Sequence, residues 1–379
     1  MQPTPTHTLA APPALAPLLA RGALGSPRKS RGLRGADFPP PPPGRFARLV
    51  LPGVRIDLAR LAAYERVCGF PTGEDAVPLT YPHVLGFPLA MRIMSGRDFP
   101  LPLLGLVHTS IEITRRRRLP ATGEYEITVY VEELAPHRRG TEATVVTEVR
   151  DGSEGEGEGG FGGGAGVAWE SRSTYLARHG RGEGRRRAAA DGIARTAVGG
   201  SGTASGDRSG PAQADGGGLE EADGSGTAQA GRSGTASGDR SGAASADRSG
   251  WASEGLQAVP GVAEWSLGGD VGRRYGAVSG DRNPIHLHPL GARLFGFPRA
   301  IAHGMWTVAR CLAEYGTPPA ALVRAEFRAP VPLPGTVTYA ADAGTWGGFE
   351  LRSGGVPGPD GEQVRPRVHV SGHVYPLVG

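Results

Sequence analysis

Apolar residues alternate with polar ones in four stretches of the first half of the chain: Val107 to Ile113, Tyr125 to Glu132, Thr141 to Val149 and Ala168 to Tyr175. Many of these positions are β-branched, and period-two alternation of this kind predicts half-buried strands. The same reading predicts strands at 321–329, 335–342, 347–352 and 366–375 in the second half. An apolar segment of helix length precedes each set. In the first half it is TYPHVLGFPLAMRIM at 80–94; in the second, Met305, Val308, Ala309 and Leu312 stand at i, i+3, i+4 and i+7, the spacing of one buried helix face. A long helix followed by a run of antiparallel strands therefore occurs twice.

Three segments break this pattern. Residues 1–47 are Pro-rich and end in the run Pro39 to Pro43, which predicts a disordered, unpacked leader. The glycine- and glutamate-rich insert at 151–166 reads as an expanded hairpin loop, since surface loops tolerate long insertions at small entropic cost. Residues 178–255 consist largely of Ser, Gly, Ala, Asp and Arg, with short repeats such as SGTASGDRSG at 201 and RSGAASADRSG at 240. Repeats without apolar content cannot bury a core, so this is a flexible linker and not a solenoid. The expected organisation is a leader at 1–47, a folded unit at 48–177, the linker at 178–255 and a second folded unit at 256–379.

Composition adjusts this picture only slightly. The 62 glycines and 34 prolines of the 379 residues exceed average usage, and they gather in the segments just described. A net charge of +4 does not call for nucleic acid as a partner. The densest basic run, Arg115 to Arg118, reads as a solvated strand end or as a contact to the phosphates of a bulky carrier. Cys68 and Cys311 lie far apart in apolar surroundings without metal-ligand spacing, and read as reduced core residues of a cytoplasmic protein. Five prolines interrupt the first twenty residues, where neither a signal peptide nor an anchor is expected. No apolar run approaches membrane-spanning length.

The candidate chemistry lies at Tyr275 to His286, YGAVSGDRNPIH, followed by Ala292, Gly296-Phe297 and then Ile301, His303, Gly304 and Met305. Asp281 and His286 stand five residues apart across a proline turn, just upstream of a helix whose amino end carries Gly304. A carboxylate and an imidazole so placed can hold and activate one water, and a free N–H at a helix start can take up negative charge on a carbonyl oxygen. Gly-Asp-x-Asn-Pro alone is also ordinary turn chemistry. The register of the residues downstream favours catalysis. His83, His108, His137, His369 and His373 have no such company and read as core or surface histidines.

The first half repeats the spacing without the chemistry. Tyr64, Cys68, Gly69 and Phe70 match Tyr275, Ser279, Gly280 and Asp281, so an aromatic ring stands in place of the carboxylate. No Asn-Pro-x-His turn follows. The pattern suggests an ancient duplication in which one copy kept the polar site.

YGAVSGDRNPIH followed by FGFPRAIAHGM resembles the hydratase 2 motif of the MaoC-like, (R)-specific enoyl-thioester hydratases and dehydratases. The first half, with VPLTYPHVLGFPLAM and VAWESRSTYL, looks like the amino-terminal half of the double hot-dog members, in particular the actinobacterial (R)-3-hydroxyacyl-thioester dehydratases. The resemblance covers 49–177 and 256–376. It implies an α+β fold, a double hot-dog in which two curved antiparallel sheets each wrap a central helix. It implies reversible hydration of trans-2-enoyl thioesters on CoA or acyl carrier protein. Asp281 and His286 would share the attacking water, either being the formal base, and the N–H of Gly304 would bind the enolate-like oxygen. Ser279 and Asn283 would hold the loop by hydrogen bonds and Pro284 would stiffen it, while His303 reads as structural more than catalytic. No cofactor or metal is implied, and the chain would be a monomer holding its own pseudo-dimer, or a homodimer. The first half, lacking the dyad, would open a groove for the acyl chain; Gly86, Ala90, Ser95 and Gly96 permit one, and equally suit close packing. A hot-dog thioesterase and a non-catalytic acyl-thioester binding module are the alternatives.

Overall fold

The computed structural model describes residues 5–33, 46–152, 166–179, 261–342, 347–354 and 366–378. The linker read at 178–255, apart from its first two residues, and most of the insert at 151–166 lie outside the described residues. In chain order the elements are β1 (Thr6–Thr8), α1 (Leu15–Leu33), β2 (Arg48–Arg55), α2 (Leu58–Cys68), α3 (Tyr81–Met94), β3 (Leu106–Arg115), β4 (Glu124–His137), β5 (Gly140–Asp151) and β6 (Val167–Arg178). The second half holds β7 (Gly261–Leu267), α4 (Val271–Ser279), α5 (Pro284–Leu287), α6 (Pro289–Leu294), α7 (Gly304–Tyr315), β8 (Ala321–Phe327), β9 (Gly335–Ala341), β10 (Gly348–Ser353) and β11 (Arg367–Pro376).

The strands join edge to edge in the order β1-β2-β4-β5-β6-β3-β8-β11-β10-β9-β7. Outward from the antiparallel β3–β8 seam, the second, fifth, fourth, third and first strands of each half follow one another in both directions. Among the described residues only β1, parallel to β2, lacks a counterpart. This is a double hot-dog whose two sheets are continuous across the middle. The central helix α3 packs on β4 and β5, and α7 packs on β10 and β11. Met305, Val308, Ala309 and Leu312 are buried as their spacing requires, and Trp306, Thr307 and Cys311 are buried with them, so α7 is enclosed on nearly all sides.

The duplicated spacing corresponds to duplicated local structure. Helix α2 starts at Asp57, whose carboxylate accepts from the N–H groups of Ala59 and Arg60, and ends at Gly69 with φ 83°. Helix α4 ends at Gly280, also with φ 83°. A left-handed residue closes both helices, a conformation that glycine adopts without a Cβ penalty. The rings of Tyr64 and Tyr275 lie 6.1 Å apart. Arg60 Nε donates to the carbonyl of Val278 at 2.7 Å, and Trp306 Nε1 donates to that of Val67 at 2.8 Å, so each half satisfies polar groups of the other.

Two expectations are corrected here. The leader read as unpacked at 1–47 carries α1, which buries Leu18, Gly22, Ser26 and Leu33. Pro17 falls in the first turn, where N–H groups have no intrahelical acceptor and a proline removes nothing. Pro27 does sit inside the helix. Ser26 Oγ bonds back to Gly22 O within the helix at 2.6 Å, and the tertiary contacts are its acceptance from Leu104 N and the bond of Lys29 Nζ to Gly96 O at 2.8 Å. The second correction concerns Arg115, which is not a solvated strand end. It is buried, and its guanidinium donates to the carbonyls of Pro318 and Pro319 and to Thr317 Oγ1. Burial holds its pKa down to about 10. A carrier phosphate cannot also claim it.

Cys68 and Cys311 are free and buried, as expected. Among the described residues, no helix is long and apolar enough to cross a membrane.

Candidate active site

The loop after α4 turns on short-range polar contacts. Ser279 Oγ accepts from Asp281 N at 3.2 Å, Asp281 Oδ1 accepts from Asn283 N at 3.2 Å, and Asn283 Oδ1 accepts from Ile285 N at 3.4 Å, capping α5. Pro284 occupies the first position of α5. The loop also lies hard against α4. A Cβ on Gly272 would sit 2.0 Å from His286 O, and one on Gly276 would sit 2.8 Å from Asp281 O. These two glycines, one helical turn apart, let the loop that carries Asp281 and His286 pack on α4, and sequence reasoning passed over them; their spacing on α4 was the available signal.

The loop presents His286 in a defined tautomer. Its Nδ1 lies 2.8 Å from the carbonyl of Ile301, which can only accept, so Nδ1 carries the proton and Nε2 carries a lone pair. The side chain is 8% exposed. Burial lowers its pKa from the usual imidazole value against the opposing pull of Asp281, which favours the neutral ring. Asp281 keeps 31% of its side chain accessible, enough to meet a substrate.

His303 ties the loop to α7. Its Nε2 donates to the backbone carbonyl of Asp281 at 2.9 Å and lies 3.9 Å from Asp281 Oδ2; its ring stacks on His286 with centroids 3.7 Å apart. At 2% exposure, and beside His286, its pKa is pushed down to about 3. An unfolded His303 takes up a proton as pH falls through about 6.5 whereas the folded one stays neutral, so stability should decline by about 1.4 kcal/mol for each pH unit below that value. Urea unfolding at pH 7.5 and pH 5 is expected to show a lower midpoint at pH 5, with a smaller difference in His303→Gln. An unchanged difference would mean that His303 is not held neutral.

Helix α7 begins beside this loop. His303 is its N-cap, with φ −66° and ψ 137°, and makes no side-chain cap bond, so the first N–H groups, beginning with Gly304, are left for another acceptor. Gly304 itself lies against Phe327, whose ring carbon would be 2.9 Å from an added Cβ. Asp281, His286, Gly304 and Phe327 all line one cavity of about 1500 Å³. Ser279, Asn283, Pro284 and His303 line it too. The residues bracketed in the sequence therefore come together.

The first half supplies the rest of the wall, though not where expected. The lining face of α3 carries His83, Val84, Phe87, Met91 and Met94. Gly86 instead packs on β5, with an added Cβ 2.5 Å from Thr147, and so serves close packing. Leu19, Ala20 and Ala23 of α1 close another side. His83 and His108, read as unremarkable, also face the cavity, whereas His369 is a core residue bonded to Ser353 Oγ.

Ligand atoms of Asp281, His286 and His303 lie within 4.8 Å of one another, the spacing of a possible metal site. The hydrogen bonds of His286 Nδ1 to Ile301 and of His303 Nε2 to Asp281 O already engage one nitrogen of each ring. This arrangement suits a water-activating pair with a supporting imidazole.

Known proteins bear on this arrangement. The MaoC like domain model matches residues 269–343, which span α4, the loop and α7. The 3-hydroxyacyl-thioester dehydratase X of Mycobacterium tuberculosis is 32% identical over 299 residues, covering 78% of this chain and 80% of that protein. The crystal structure of HtdX from the same organism superimposes with a TM-score of 0.56 at 27% identity, over 87% of this chain and 100% of that one. A MaoC-like dehydratase from Phytophthora capsici shares the fold, with a TM-score of 0.50 at 15% identity, over 89% of this chain and 95% of that one.

Proposed function

Because the chain belongs to the MaoC-like dehydratase family, we propose that it is a hydro-lyase that reversibly adds water to trans-2-enoyl thioesters to give (R)-3-hydroxyacyl thioesters. The observation that carries this reading is the lone pair of His286 Nε2, fixed by the Nδ1 bond to Ile301 O, in one cavity with the Asp281 carboxylate and the amino end of α7.

The reaction needs three groups. Asp281 and His286 hold the water between them and take one of its protons as its oxygen bonds to the β-carbon. The electrons of the double bond move to the thioester oxygen, where the N–H of Gly304 and the positive end of α7 receive the charge. The proton then passes from the same pair to the α-carbon on the same face, which gives syn addition. Asp281 and His286 act on one water, so the base is the pair. The thioester rests on CoA or on acyl carrier protein, and its acyl chain runs toward the wall built by α3 and α1.

The pH dependence follows from His286. Protonation removes its lone pair, so hydration is lost on the acid side, and burial lowers the pKa at which that occurs. The acid limb of kcat/KM for hydration is expected to have its midpoint below about 6.5, the value of a free imidazole. A midpoint at or above that value, measured with stable protein, would place the base elsewhere.

A further inference from the structure

The wall contributed by the first half is not uniformly apolar. His83, in the first turn of α3, and His108, on β3, line the cavity with ring centroids 6.2 Å apart and nearly parallel planes. His108 in turn stacks on Tyr175 at 4.5 Å and touches Phe327 at 4.6 Å, the residue against which Gly304 packs. This places the pair beside the reaction centre. Neither His83 Nδ1 nor His108 Nε2 has a hydrogen-bond partner among the described residues, although both atoms are buried. Buried polar atoms are nearly always paired; both nitrogens are covered here while other edges of the rings line the cavity, so a turn of each ring brings its nitrogen to a donor or acceptor that enters with a ligand. Both rings are neutral, burial pushing His83 down to about 4 and His108 to about 3. They are therefore suited to a neutral partner and not to an anion.

The polar band has a limited extent. At a rise of about 1.5 Å per residue, Phe87 lies roughly 6 Å beyond His83 along α3, Met91 about 12 Å and Met94 about 16 Å. All three line the cavity, together with Leu19 and Ala23 of α1. Polar groups next to the reaction centre give way to an apolar end.

We propose that the acyl group accepted by this site carries a hydroxyl on its chain beyond the reacting carbons, received by His83 and His108, and an apolar remainder that lies along Phe87, Met91 and Met94. A hydroxyl both donates and accepts, so one oxygen can satisfy either tautomer of the two rings. This inference rests on the hydratase reading of the same cavity and names its substrate class.

Hydration of trans-2-decenoyl-CoA is compared with that of its 5-, 6- and 7-hydroxy derivatives. The expected result is that at least one positional isomer exceeds the unsubstituted substrate in kcat/KM by about tenfold or more, because a site built to bond a hydroxyl disfavours the analogue that lacks it. In His83→Phe and His108→Phe the ratio of kcat/KM for the preferred isomer to that for the unsubstituted thioester should fall to about one, and His83→Gln should retain part of the preference. Turnover of the plain substrate with no isomer preferred by the unmodified protein overturns this inference and leaves the hydratase reading standing. A preference that survives both phenylalanine variants also overturns it. Absence of turnover on all four substrates overturns both.

Discussion

Asp281→Asn is expected to lower kcat for hydration by about 10² to 10⁴ while the protein keeps its fold. The argument for a clean effect is local. Asp281 Oδ1 accepts from Asn283 N, and the amide oxygen of asparagine can do the same, so the turn that positions His286 persists. The backbone carbonyl of residue 281, which holds His303, is untouched. What is removed is the carboxylate, and with it half of the pair that polarises water beside His286 Nε2. Thermal unfolding should shift little, and KM should change far less than kcat. A loss under tenfold would show that the carboxylate is dispensable and that the water is activated from elsewhere on the wall.

The second large effect is expected at Gly304, where the N–H can be deleted almost alone. Proline is favoured at the first position of a helix, and the preceding residue must then be extended; His303, at φ −66° and ψ 137°, already is. The obstacle is Phe327, 2.9 Å from any Cβ placed at 304, and it is relieved by Phe327→Leu. In that background Gly304→Pro removes the donor and Gly304→Ala keeps it. Proline is expected to cost about 10² to 10³ in kcat, the worth of one oxyanion donor, and alanine less than tenfold. Equal losses would assign the role of Gly304 to space and not to its N–H.

How much of this was legible in the sequence depends on how local each cause is. The loop is built from contacts two residues apart, Ser279 to Asp281, Asp281 to Asn283 and Asn283 to Ile285, so its residue types announced it. Eight of the strands were legible from their period-two alternation, and helix α7 from the spacing of Met305, Val308, Ala309 and Leu312, although its burial extends around most of the helix. Strand β2 was not, since Pro52 and Gly53 interrupt its alternation; there the register shifts between Leu51 and Val54, and Gly53 takes φ 69°. Helix α1 was hidden by its prolines and stands on contacts to residues such as Leu104 and Gly96, far along the chain. The β3–β8 seam, the burial of Arg115 and the approach of His83 and His108 to the dyad all depend on pairings between halves. No local pattern encodes them. The duplication was visible in four matched positions, and the two left-handed glycines at 69 and 280 give that match its structural meaning.

The central claim is that this cavity adds water across an enoyl thioester and leaves the thioester intact. It is tested most directly by incubating the purified protein with trans-2-octenoyl-CoA and with the same acyl group on acyl carrier protein, following loss of the enoyl-thioester absorbance and determining the product's configuration. The account expects the (R)-3-hydroxyacyl thioester, at a rate that collapses in Asp281→Asn. Release of free thiol without hydration, an (S) product, or no reaction of either thioester with folded protein would contradict it.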